Sequence, residues 1–158
     1  MVRLRFLSGL CLTFGLVGCI DLRADRRTLV DTAFVLGPTA RTLRPTRPLR
    51  AIGPFNELCL YVPRAYRRRG DTPDNVYRVG RPDGKFVAPE VTMIAPDGQR
   101  QPFPAAGFLL GRDGQAICFE TRPPRDLSRR YIAVELRADD TLQVLRVHWS
   151  AGDRYGSI

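Results

Sequence analysis

Read for hydrophobic and polar positions, the chain divides into a short apolar opening and a long body of alternating runs. Phe6 to Val17 is a stretch of twelve mostly apolar residues, and Asp21-Leu22-Arg23-Ala24-Asp25-Arg26-Arg27 ends it with charge. From Phe55 onward, short apolar runs are divided by Asp83-Gly84, Asp97-Gly98 and Asp113-Gly114. Such pairs favour hairpin turns, because Asp and Gly tolerate the left-handed backbone that a tight turn requires. The runs predict strands at 57–62, 75–79, 85–87, 90–94, 108–110, 116–121, 131–136 and 142–149. Nothing after Pro54 sustains a 3.6-residue period. The predicted body, residues 55–158, is therefore all-β: a small antiparallel β-sandwich or partly open barrel.

The alternation also assigns faces. Leu58, Leu60 and Val62 alternate with Glu57, Cys59 and Tyr61, while Ile117 and Phe119 alternate with Ala116, Cys118 and Glu120. Both cysteines thus oppose the most apolar side of their strands, which predicts a bridge between neighbouring strands. In the last run the apolar parity changes between Val144 and Leu145, so a bulge is expected there.

The opening segment is too short to cross a bilayer, which takes roughly 20 apolar residues. Even from Phe6 through Ile20 it has fifteen, with Ser8, Gly9 and Thr13 among them. A basic start (Arg3, Arg5) followed by a short apolar run is the composition of a cleaved secretory signal. Its end, Leu16-Val17-Gly18-Cys19, resembles the lipobox of bacterial lipoprotein precursors, in which a small residue precedes the modified cysteine. The resemblance covers only this part of the chain. It implies a signal peptide at 1–18, cleavage between Gly18 and Cys19, and acylation of Cys19. The residue after the cysteine is Ile20 rather than Asp, which by the family's sorting rule implies the periplasmic face of the outer membrane rather than the inner membrane.

Cysteine parity agrees. Of four cysteines, Cys11 leaves with the signal and Cys19 carries the lipid. Cys59 and Cys118 remain as an even pair in an oxidising compartment, predicting a Cys59–Cys118 disulfide.

Residues 19–54 read as a tether, solvated to about Arg27, followed by a Pro/Arg-rich extended segment; the spacing at 29–36 fits a first strand or a two-turn helix, and its β-branched content favours the strand. Arginines at 41, 44, 47 and 50 recur every third residue. In a polyproline II helix, three residues per turn, Arg41, Arg44, Arg47 and Arg50 would line one edge. Arg64, Arg67, Arg68 and Arg69 form the densest cluster. Either group could bind anionic envelope polymers, because the planar guanidinium bonds phosphate or carboxylate with two parallel hydrogen bonds. The alternative for both is a solvated basic segment. Arg69-Gly70-Asp71, which matches an integrin-read tripeptide, serves a turn well enough by itself.

Composition narrows the chemistry. The chain has 158 residues, 25 Lys+Arg against 16 Asp+Glu, and a formal net charge of +9, enough for one domain with a strongly basic surface. An exported location makes nucleic acid an unsuitable partner for that charge. His148 is the only histidine. It shares a strand face with Ser150, but no nucleophile-elbow motif is present. One His and two distant cysteines do not make a zinc site. Asp139-Asp140 reads as a turn, and no phosphate-binding glycine loop appears. The expectation is a lipid-anchored cell-envelope protein without enzymatic activity, cofactor or metal, having a binding or scaffolding role. Two alternatives are direct binding of lipopolysaccharide, acidic lipid or peptidoglycan, and service as a lipoprotein subunit of a secretion or surface assembly.

Overall fold

The computed structural model describes residues 24–68, 77–111, 114–121 and 129–152. Among them every regular element is a strand and no sheet closes into a barrel. The main sheet has five strands in the order β1 (Asp25–Val30), β16 (Arg146–Gly152), β5 (Phe55–Val62), β12 (Gly114–Thr121) and β11 (Ala105–Gly111). The second has four: β10 (Arg100–Phe103), β9 (Pro89–Ile94), β14 (Ala133–Ala138) and β3 (Arg41–Leu43). Short ladders complete the body: β4 (Leu49–Arg50) with β13 (Arg130–Tyr131), β2 (Phe34–Leu36) with β15 (Leu142–Val144), and β6 (Arg67–Arg68), β7 (Val79–Gly80) and β8 (Phe86–Val87) in a row. All pairings are antiparallel, as expected for a β-sandwich.

Inward side chains of both large sheets join one core. Leu58, Leu60, Ile117, Phe119 and Val147 come from the first, and Val91, Met93, Val134 and Leu136 from the second. At its centre Trp149 lies 6.2 Å, centroid to centroid, from both Phe103 and Tyr131, and the last two meet edge to face at 5.8 Å. Offset and edge-to-face aromatic contacts add to the area they bury. The Tyr131 hydroxyl donates to Gln101 Oε1 at 2.9 Å, so this ring keeps its polar tip satisfied.

Two of the anticipated turns are seen. Gly84 and Gly98 adopt φ of 81° and 82°, which only glycine reaches without strain, and their amides donate to the carbonyls of Arg81 and Ala95. Asp83 and Asp97 each accept the amide two residues on. The Asp113 turn lies outside the described residues.

The largest correction concerns residues 19–54. From Asp25 this segment is no tether: β1 forms the edge of the main sheet, with Asp25 opposite Ala151 and Thr28 opposite His148. Charge at the start of β1 is tolerated because Asp25 and Arg27, on one face, neutralise each other through contacts of 2.6 and 2.9 Å. The expected strand at 29–36 divides into the end of β1 and a separate β2. The polyproline reading of 41–50 also fails, because Arg41–Leu43 joins β14 while Leu49–Arg50 joins β13. Ladder pairing satisfies backbone groups that a polyproline helix would leave to water, so the sheet edges win.

Other differences have local causes. The runs at 131–136 and 142–149 each break, at Ile132 and Leu145, because the chain changes ladder there. Leu145 donates its amide to the Tyr61 carbonyl at 2.7 Å while its side chain is exposed, at the place where parity changed. Of the strand expected at 75–79, Val79 is paired and continues to Gly80; Tyr77 and Arg78 precede it, and 75–76 lie outside the described residues. Strand β10 was unanticipated because Pro102 interrupts its pattern; at the sheet's edge the missing N–H is tolerated.

Asp25 ties the incoming chain to the sandwich. Besides Arg27, it accepts the Arg50 amide at 2.8 Å, and Arg27 donates to the carbonyls of Arg47 (2.9 Å) and Pro48 (3.2 Å). Hydrogen bonds to charged groups contribute about 1.5–3 kcal/mol each when poorly exposed. Asp25→Ala should therefore lower unfolding free energy by about 2 kcal/mol, with Asp25→Asn losing less because it still accepts from Arg50. Urea denaturation followed by Trp149 fluorescence measures both.

Candidate functional site: the disulfide face and the exposed arginines

The outward side chains of the main sheet form three rows, ordered by the register of β12, β5 and β16. Cys118, Cys59 and His148 make the middle row; Glu120, Glu57 and Ser150 flank it on one side, and Ala116, Tyr61 and Arg146 on the other. The cysteines face each other directly and are joined, with Cα atoms 4.1 Å apart, giving the neighbouring-strand bridge that their facing anticipated. Cys59, Cys118, Tyr61 and Ala116 form a second buried cluster, separate from the main core. Consequently β5 is buried on both faces. The Arg146 guanidinium lies 4.1 Å from the Tyr61 ring centroid, placing a cation over the aromatic face at the edge of this cluster.

Electrostatics differ along the rows. Glu57 is only 7% exposed and stands opposite Glu120. Burial first, and the second carboxylate next, push its pKa upward from the usual 4.5. His148 is held below its usual 6.5 by burial, then by the charges of Arg146 and Arg26. A neutral imidazole is thereby favoured at neutral pH. Ser150 is two positions along the same strand face, yet no hydrogen bond joins it to His148 among the described residues. The geometry provides no activated hydroxyl or thiol there. Glu57, Cys59 and Cys118 are the one group of metal-type ligands brought together among the described residues, within 4.8 Å. With the two sulfurs bonded to each other, that group offers a single carboxylate, too few donors for zinc.

The predicted arginines are scattered. Arg41 stacks over Phe34 at 4.2 Å. Arg44, Arg47 and Arg50 are exposed; the backbone carbonyl of Arg47 and the backbone amide of Arg50 are both held by the Asp25–Arg27 pair. Arg64 is exposed past the far end of β5, and its carbonyl accepts from Gln115 Nε2. Arg67 is exposed on β6. The side chain of Arg68, all of Arg69-Gly70-Asp71, and the lipobox with Gly18 and Cys19 lie outside the described residues. Asp139 accepts the Ala88 amide and Asp140 pairs with Arg81, so these carboxylates are structural.

The sequence reading missed Arg130, which stands directly across from Arg50 in the β4–β13 ladder; both side chains are exposed. No spacing rule could place together residues 80 apart in sequence. Elsewhere, the outer face of the four-stranded sheet is covered by Arg100–Glu135 and Arg137–Glu90 ion pairs. Beside edge strand β10, an open cleft of about 510 Å³ is lined largely by apolar groups, among them Tyr77, Val91, Pro102, Phe103, Ala105 and Phe119.

Two outcomes follow. Replacing both Cys59 and Cys118 by Ala should cost about 4 kcal/mol of stability, from reopening a 59-residue loop in the unfolded chain; denaturation with and without reductant measures it. For Glu57 the sign is set by proton binding: a raised folded pKa means that the native state binds more protons just above pH 4.5. Stability then falls as pH rises from about 4.5 through the raised value. Glu57→Gln should abolish that part of the decline, so its denaturation midpoint exceeds the parent's most at neutral pH. No protein family, characterised protein or solved structure matches this chain.

Proposed function

We propose that this is a lipid-anchored protein of the bacterial cell envelope, held by acylated Cys19 and acting by binding or positioning another envelope component, without catalysis. The reading is carried by one observation: an apolar segment ending in Leu16-Val17-Gly18-Cys19 precedes the edge strand of the sandwich by only a few residues. A lipid at Cys19 would hold the body against a bilayer.

Other features support it. With Cys59 bonded to Cys118 and Cys11 in the signal, Cys19 alone is left for modification. Two or more acyl chains anchor stably where one is marginal, at about 0.8 kcal/mol per buried methylene. A binding role suits a body with an open apolar cleft and exposed arginines, whose lone histidine has no hydroxyl or thiol hydrogen-bonded to it among the described residues.

Growing cells on an alkyne-bearing fatty acid and coupling the purified protein to a fluorophore tests the anchor. The parent should take up label and fractionate with membranes, while Cys19→Ala should lose both. An unlabelled parent would defeat the proposal. Cross-linking in intact cells then identifies the component held.

A further inference from the structure

We propose that Arg47, Arg50 and Arg130 form a docking face for the phosphates of acidic phospholipid headgroups in the bilayer that carries the Cys19 lipid. The inference rests on the lipid-anchor reading and adds to it the orientation of the domain.

Placement is the first argument. Arg27 holds the Arg47 carbonyl, Asp25 holds the Arg50 amide, and Arg130 stands across the ladder from Arg50, so the backbones of Arg47 and Arg50 are tied to the start of β1 and Arg130 is their ladder neighbour. Asp25 is six residues after Cys19, a span of at most about 20 Å even when fully extended. The face therefore stays within reach of the headgroups for as long as the lipid is inserted. Strand β5 runs away from this end, beginning with Phe55 opposite Gly152 and finishing at Val62. Arg64, just beyond, is roughly 25 Å distant at about 3.4 Å per residue.

Charge is the second. Asp25 is occupied by Arg27, and no acidic side chain pairs with Arg47, Arg50 or Arg130 among the described residues. Like charges directly opposite in a ladder are destabilising, so Arg50 and Arg130 oppose folding slightly. A phosphate between them removes the repulsion and matches the guanidinium fork. Each basic residue near an anionic surface raises partitioning roughly fivefold. Salt screens the attraction, so it should weaken as ionic strength rises.

The test uses the unacylated chain from Cys19 onward, with Cys19→Ser; all described strands lie within it. Co-sedimentation is measured with vesicles of equimolar phosphatidylcholine and phosphatidylglycerol, and of phosphatidylcholine alone. Binding should require the anionic lipid. Arg50→Glu with Arg130→Glu should lower partitioning more than about tenfold. Arg64→Glu with Arg67→Glu, an equal change in net charge, should leave it within about twofold. Arg50→Glu alone places opposite charges across the ladder, so its melting temperature should equal or exceed the parent's while its binding falls. Equal losses from both double reversals, or indifference to phosphatidylglycerol, would overturn the proposal. Fatty-acid labelling at Cys19 without vesicle binding would remove this face and leave the anchor; Arg50- and Arg130-dependent binding without labelling would do the reverse.

Discussion

Burial of β5 on both faces is the constraint around which the rest is arranged. A strand with one wet side satisfies the alternating pattern by sending polar groups outward. In β5 the inward Leu58, Leu60 and Val62 meet the second sheet, but the outward Cys59 and Tyr61 are covered too. A disulfide suits such a position, because it fills space on a buried outer face without leaving a polar group to satisfy. It joins β5 to β12, while β16 pairs along the other edge and carries Trp149 into the core. The acidic pair Glu57–Glu120 stands in the next row along, where Glu57 is itself buried.

The second organising feature is the change of ladder within single runs of sequence. At Leu145 the chain leaves the β2–β15 pair and enters the main sheet, and at Ile132 it leaves β4 and enters the four-stranded sheet. Each switch lets one run serve two ladders. Corner-making of this kind joins small sheets into one body without long connections.

Legibility followed the range of the interactions. Strands β5, β9 and β12 were readable because period-2 alternation is written in adjacent residues, and Asp-Gly turns because their geometry is local. The facing of the cysteines followed from the same parity. The start of β1, and β3 and β4, were obscured because charged residues fill their positions, and β2 was legible only as part of one longer run at 29–36; the pairing partners lie as far away as β13 to β16. Arginine recurrence at 41, 44, 47 and 50 proved a poor guide for the same reason: ladder partners separate positions that the spacing unites. Arg27 had a closer clue, since residues two apart on a strand share a face and Asp25 is its i−2 neighbour. The proximity of Arg130 to Arg50 was beyond any local rule.

The first and last described strands are neighbours, antiparallel, with Asp25 opposite Ala151 and Ala24 packed within 3.7 Å of the space beside Gly152. Traction on the leading end, resisted by a grip at the opposite end of the body, would run along the strand axes. The β1–β16 ladder would then be loaded in shear, its bonds strained side by side, instead of being unzipped one after another. Pulling on both chain ends together would concentrate force on the first rungs, so mechanical toughness in this protein depends on the direction of the pull.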